Sequence, residues 1–169
     1  MSNTDRAATA QTATSDREIV ITRRIDAPRE MVFEAFTEVR HLSHWWGPEG
    51  FTATTQEFEF RPGGEWVFMM RGPDGTDYTE WISWTSIVAP ARLTLRHGAF
   101  RGDPDTFESV LAFEPDDEAT RLDMRTVFPT RESRDEAVER YHAVEAGGQT
   151  LEKLAAYVAK RVRQEAGQR

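Results

Sequence analysis

The order of apolar and polar positions divides the chain into a strand, a helical stretch, a run of strands and a long helix. Glu18 to Ile25 (EIVITRRI) alternates, with Ile19, Ile21 and Ile25 on one side and Thr22 and Arg24 on the other, the period of a half-buried strand. In the next segment, DAPREMVFEAFTEV, Val32, Ala35, Phe36 and Val39 recur at i, i+3, i+4 and i+7, and Pro28 suits a first helical position. This predicts a short amphipathic helix. A second short turn, HLSHWWG, ends at Gly47-Pro48.

Strands follow from Phe51 to Phe128, each closed by a turn signal. FTATTQEFEF stops at Pro62-Gly63-Gly64, EWVFMMR at Gly72-Pro73-Asp74-Gly75, YTEWISWTSIV at Ala89-Pro90, and RLTLRH near Gly98. TFESVLAF stops at Pro115-Asp116-Asp117 and TRLDMRTVF at Pro129. Strands at that spacing predict a meander of antiparallel hairpins. Gly63-Gly64 reads as turn geometry that needs positive φ.

From Thr130, a good N-cap, the period becomes 3.6. Ala137, Tyr141, Val144, Gly148, Leu151, Ala155, Val158 and Val162 form one stripe, reinforced by Leu154. A helix of roughly 30 residues would run about 45 Å, long enough to fill the concave side of the sheet. The predicted fold class is therefore α+β, a curved antiparallel sheet wrapped around a long C-terminal helix, as one domain over residues 17–165. Residues 1–16 are small and polar without apolar periodicity, and are expected to form a disordered tail.

Two strands are apolar on both faces. Trp66, Phe68 and Met70 alternate with Val67 and Met69, while Trp81 and Trp84 stand three apart and so face opposite ways. Val67, Met69 and Trp81 would then make an outer patch suited to a second copy of the chain, and a homodimer is one expectation.

Composition narrows the function. Cysteine is absent, which removes disulfides, thiolate nucleophiles and sulfur-ligated metals. No apolar stretch of signal-peptide type follows Met1, and no run reaches the length of a membrane span, so a cytoplasmic address without a membrane partner is expected. The formal charge of −8, with basic residues interspersed among acids, opposes binding to phosphate backbones, so no nucleic-acid partner is expected. No phosphate loop, nucleophile elbow or zincin phrase occurs, and no cofactor is expected. His41 and His44 lie at i, i+3, but no third ligand stands at a diagnostic spacing, so they read as a solvated helix end and no metal is expected.

The phrases RRIDAPREMVFEAFTEVRHLSHWWGPEGF, RPGGEWVFMM, IVAPARL and GGQTLEKLAAYV, in this order over about residues 18–162, resemble the SRPBCC superfamily of helix-grip domains. That superfamily includes the START lipid-transfer proteins and the birch-pollen allergen. The branch most similar is the one related to the C-terminal domain of the activator of the ninety-kilodalton heat-shock chaperone's ATPase. The resemblance implies a seven-stranded sheet curled around the last helix with a cavity between them, used by relatives for lipids, hormones, polyketide intermediates or aromatic molecules. It also brings in a chaperone partner, which the lack of the activator's additional N-terminal domain disfavours here. Many relatives carry a Trp near the GGQ segment; Gly147, Gly148 and Gln149 would leave the cavity roomier at that point.

The expected cavity lining is Trp45, Trp46, Phe58, Phe60, Trp66, Phe68, Trp84, Leu95, His97, Phe107, Met124, Phe128, Tyr141 and Gly148. Aromatic side chains in such numbers serve first as core. His97 shares a strand face with Leu93 and Leu95 and is the expected polar anchor, with Trp45-Trp46 as a lid over the mouth. The leading expectation is a protein that holds an apolar or aromatic small molecule. The alternative is a cyclase, dehydratase or hydrolase using the same cavity, which needs convergent polar groups among His97, His142, Glu145, Tyr78, Glu80 and Arg125.

Overall fold

The computed structural model describes residues 15–167. The expected tail thus falls outside the described residues, apart from Ser15 and Asp16, which form a single 3-10 turn with Arg17. The elements that follow are β1 (Glu18–Ile25), α1 (Arg29–Glu34), α2 (Val39–Trp45), β2 (Thr52–Phe58), β3 (Glu65–Arg71), β4 (Asp77–Val88), β5 (Arg92–Gly98), β6 (Phe107–Asp116), β7 (Ala119–Val127), α3 (Arg131–Glu139) and α4 (Ala143–Gly167).

The strands form one antiparallel sheet in the order β1-β7-β6-β5-β4-β3-β2. The pair α1 and α2 carries the chain from β1 to the far edge, and five successive hairpin connections bring it back until β7 pairs with β1, Glu18 opposite Val127. On the concave face lie Trp66, Phe68 and Met70 of β3, Ile82 and Trp84 of β4, and Leu93 and Leu95 of β5, all buried. α4 closes that face through Leu151, Leu154 and Val158. This is the helix-grip arrangement, and the period-2 and period-3.6 patterns are its direct cause: each element buries its apolar side against the same core.

Four local features differ from the sequence expectation. The two short helices expected after β1 are present, but the first ends sooner than its stripe through Val39 implies: the chain leaves the helix between Ala35 and Glu38, and Val39 opens the second. β6 continues through Pro115, which faces Thr120 of β7. Its pairing with β5 ends at Ala112, so the missing proline N–H deprives no neighbour of a bond. Gly63 has the positive φ expected of it, but Gly64 is required for close approach: a Cβ there would lie 2.2 Å from the Glu59 carbonyl oxygen.

The fourth difference bears on the site. The C-terminal stripe is broken at Arg140–His142 into α3 and α4, with His142 at φ 53, a left-handed conformation that histidine tolerates better than most residues. α3 begins with a capping box, in which Thr130 Oγ1 accepts from the Ser133 N–H (3.0 Å) and Ser133 Oγ accepts from the Thr130 N–H (3.1 Å). Thr130→Ala is expected to cost about 1 kcal/mol, read as a lowered urea midpoint, and Thr130→Asp to retain most of the stability.

On the convex face Val67, Met69 and Trp81 are half-buried and adjacent, Val67 lying opposite Trp81. The Trp81 Nε1–H donates to the Glu65 carboxylate, which also pairs with Arg101 at 2.7 Å. No helix among the described residues is long and apolar enough to cross a membrane.

Candidate functional site

Between the concave face of the sheet and α4 the packing is incomplete. It leaves a cavity of about 460 Å³ whose floor is Phe68, Met70, Leu95, Leu111, Met124 and their neighbours, and whose roof is Trp45, Trp46, Ala146, Gly147, Thr150 and Leu151. Tyr141 lines this space and is also 62% exposed, which places the opening beside it at the break between α3 and α4. A larger groove of about 750 Å³ lies on the surface among Arg24, Asp26, Arg29, Glu30, Asp117 and Glu118. Its arginines are already paired, Arg24 with Asp26 and Asp116 and Arg29 with Glu30.

A stack of rings runs through one wall of the cavity. Trp46 lies over His97 (centroids 6.2 Å, planes 21° apart), His97 over Phe107 (4.6 Å, 9°), and Phe107 over Phe128 (5.1 Å, 27°). The sheet register explains the alignment. His97 and Phe107 are direct cross-strand partners on β5 and β6, the pairing that brings ring faces together. Desolvation pushes the His97 pKa down to about 3, so the imidazole is neutral throughout the physiological range.

The second polar group is Glu80. It stands on β4 directly opposite Phe68, and diagonally across from His97, whose own partner is Ile82. Desolvation alone raises its pKa to about 7, so near neutrality the carboxyl is divided between neutral and charged forms. Among the described residues neither Glu80 nor His97 has a hydrogen-bond or ion-pair partner, whereas the other buried hydroxyls of the lining are satisfied. Ser109 bonds Thr126 at 3.0 Å, and Thr150 donates to the Ala146 carbonyl at 2.9 Å.

The model of the family described as activator of Hsp90 ATPase homolog 1-like protein matches residues 26–159. This chain belongs to that family. A protein from Nitrosomonas europaea is similar with a TM-score of 0.79 and 20% identity, over 88% of this chain and 98% of its own. One from Arthrobacter aurescens gives 0.78 at 25% identity, over 87% and 88%. The AHSA1 protein of Silicibacter pomeroyi gives 0.69 at 22%, over 85% and 99%. At such identities the likeness bears on the fold. A comparison with curated proteins returns no match.

In this member of the activator-homolog family, Trp45, Trp46, Phe68, Leu95, His97, Phe107, Met124, Phe128 and Tyr141 line one cavity. Trp45 is 1% exposed and therefore wall, not lid. Phe58, Phe60, Trp66 and Trp84 do not reach the cavity; they close the neighbouring end of the sheet, with Phe60 and Trp84 at 5.0 Å and Phe58 and Trp66 at 6.2 Å. Four large rings there pack against one another. Gly148 is a further correction, since it faces open solvent. Because α4 restarts at Ala143, its inward stripe is Ala143, Ala146, Gly147, Thr150 and Leu151, and Gly147 is the glycine that matters. A Cβ on Gly147 would lie 2.5 Å from Ile21 Cδ1, so the glycine lets α4 approach β1.

Of the six polar candidates, Glu80 and His97 converge on the cavity. Tyr78 is exposed and lies against Phe51, Arg125 pairs with Glu18 at 2.7 Å, and His142 and Glu145 face solvent. Glu80 was legible as a lining residue, because the alternation of DYTEWISW puts it on the same face as Ile82 and Trp84.

His41 also departs from expectation. It is 1% exposed instead of solvated, and its Nδ1 lies 2.6 Å from the Tyr157 hydroxyl. Burial, then the Arg161 and Arg40 charges, hold its pKa below the ordinary value. The contact fastens α2, and with it Trp45 and Trp46, to α4. The loop after α2 is fastened too, by the Glu49 N–H to Gln149 Oε1 (3.2 Å) and by Lys153 Nζ to the Gly47 and Pro48 carbonyls (3.3 and 3.4 Å).

Proposed function

We propose that this protein binds an apolar, largely aromatic small molecule between the sheet and α4. The observation that carries the reading is the cavity of about 460 Å³ walled by stacked rings and aliphatic side chains, with two unpartnered polar groups on its floor. That volume falls within the roughly 300–1,000 Å³ of small-molecule sites, and a mainly apolar lining with few polar groups is their usual chemistry. Turnover would require a base held in place by a third group. His97 is held only by ring stacking, which favours binding over catalysis.

The test uses 1-naphthalenemethanol followed by tryptophan fluorescence. Wild type is expected to bind it saturably with one site. Ala146→Trp, which adds an indole to the roof of the cavity on an otherwise unchanged helix, is expected to weaken binding at least about tenfold while the urea midpoint stays near that of wild type. Equal affinity in the two proteins would refute the reading.

A further inference from the structure

The charge pattern of the cavity narrows the ligand class, on the reading that the cavity is a binding site. Among the described residues that line it there is no lysine or arginine, and Glu80 is the single carboxyl. The other titratable groups that line the cavity are His97 of β5, beside Glu80 on the floor, and Tyr141 at the α3–α4 break, neither of them a cation at neutral pH. The rest of the wall is apolar: Phe107 is stacked between His97 and Phe128, and Phe68 lies against Trp66.

We infer that the cavity selects aromatic or apolar molecules carrying one basic nitrogen, whose ammonium group binds the Glu80 carboxylate, and that it rejects fatty acids and other carboxylates. A carboxylate in this space would lose its water and meet a like charge with no cation to compensate it, the costliest form of burial. An alcohol would find Glu80 and His97 as hydrogen-bond partners but no charge. An ammonium gains a charge-assisted bond to Glu80 that neither of the others can make. Ammonium binding also favours the ionised form of Glu80, whose pKa burial has raised to about 7, so complex formation near neutrality releases a proton from that carboxyl. The overall charge of −8 attracts the same class of molecule from solution.

Three probes with one ring system separate the cases: 1-naphthylmethylamine, 1-naphthalenemethanol and 1-naphthoic acid, each titrated calorimetrically at pH 7.0 against wild type and Glu80→Gln. The expected order in wild type is amine, alcohol, acid, with the amine at least about tenfold tighter than the alcohol. Glu80→Gln should abolish the amine's advantage, read as the ratio of amine to alcohol affinity within each protein. In wild type, amine binding should release protons, read from buffers of different ionisation enthalpy, a measurement that does not depend on the variant. An amine no tighter than the alcohol, an acid tighter than either, or an amine advantage that survives Glu80→Gln would each overturn the inference while leaving the cavity reading intact. If the alcohol also fails to bind, the cavity reading fails with it.

Discussion

His97→Phe is expected to remove most of the loss of stability that the protein suffers in acid. In the folded state the pKa of His97 is held at about 3 against an ordinary 6.5, so the folded chain binds fewer protons than the unfolded one between those values. A folded-state pKa that is depressed makes a contribution present in full above pH 6.5 and lost as pH falls towards 3. At about 1.36 kcal/mol per pH unit, the loss reaches up to about 4–5 kcal/mol. Glu80 acts in the opposite sense. Its pKa is raised from 4.5 to about 7, so its contribution is complete below pH 4.5 and disappears as pH rises through 7, up to about 3 kcal/mol.

Between pH 4.5 and 6.5 the two slopes cancel, and wild type should show a plateau in urea midpoint with a fall on either side. His97→Phe keeps the stack between Trp46 and Phe107 and removes the His97 slope, leaving that of Glu80 opposed by buried His41, whose pKa is also lowered. Its stability should therefore fall much less than that of wild type as pH drops from 7 to 4.5. Glu80→Gln should do the reverse and hold its stability above pH 7. Glu65, Asp74 and Asp77 are also held below the usual carboxylate range, by Arg101, Thr76 and Arg71 respectively, but they sit at the solvent, where such pairs contribute little. They are present in both variants. An acid limb in His97→Phe as steep as that of wild type would contradict the burial of this ring.

The other large effect is at Trp45. Its ring packs edge-on to Phe36 at 4.8 Å and contacts Trp46 at 5.5 Å, and its Nε1–H donates to the Ala35 carbonyl at 3.1 Å. It joins the end of α2 to the end of α1 and forms part of the cavity wall at the same time. Trp45→Ala removes the ring and leaves the Ala35 carbonyl without that partner. The expected cost is about 3–5 kcal/mol, a large share of a total stability of about 5–15 kcal/mol. Trp45→Phe, which restores the ring packing but not the hydrogen bond, should recover more than half of it. A urea midpoint for Trp45→Ala within about 1 kcal/mol of wild type would show that the α1–α2 junction is not fixed by this residue.

The fold was legible because its signals are long and redundant. Period-2 alternation across several strands and Gly/Pro turn signals between them leave few ways to bury the apolar faces, and EWVFMMR coincides with β3 from Glu65 to Arg71. The C-terminal stripe was harder. Its 3.6 period continues through Arg140–His142, and nothing local forbids a helix there, so the break came only with tertiary packing. One displaced turn moved the inward glycine from Gly148 to Gly147. The aromatic cluster was legible as a cluster but not in its division between filled core and cavity, because that depends on how far α4 stands from each part of the sheet. Strand alternation says which face Phe58, Phe60, Trp66 and Trp84 occupy, not what lies above them. Glu80 shows the converse case. Its face could be read from DYTEWISW, but its isolation from any partner is a fact of three dimensions.

The claim that the space between sheet and helix is a small-molecule site is tested most directly by methyl NMR of the protein labelled at Ile, Leu, Val and Met, titrated with 1-naphthalenemethanol. Ile21, Leu95, Leu111, Met124 and Leu151 line the cavity from four strands and α4, while Val20 and Val88 are exposed outside it and Val67 and Met69 lie on the convex face. Saturable shifts confined to the first group are the expected result. Shifts confined to Val20, Val67, Met69 or Val88, or no shifts at millimolar probe, would contradict it.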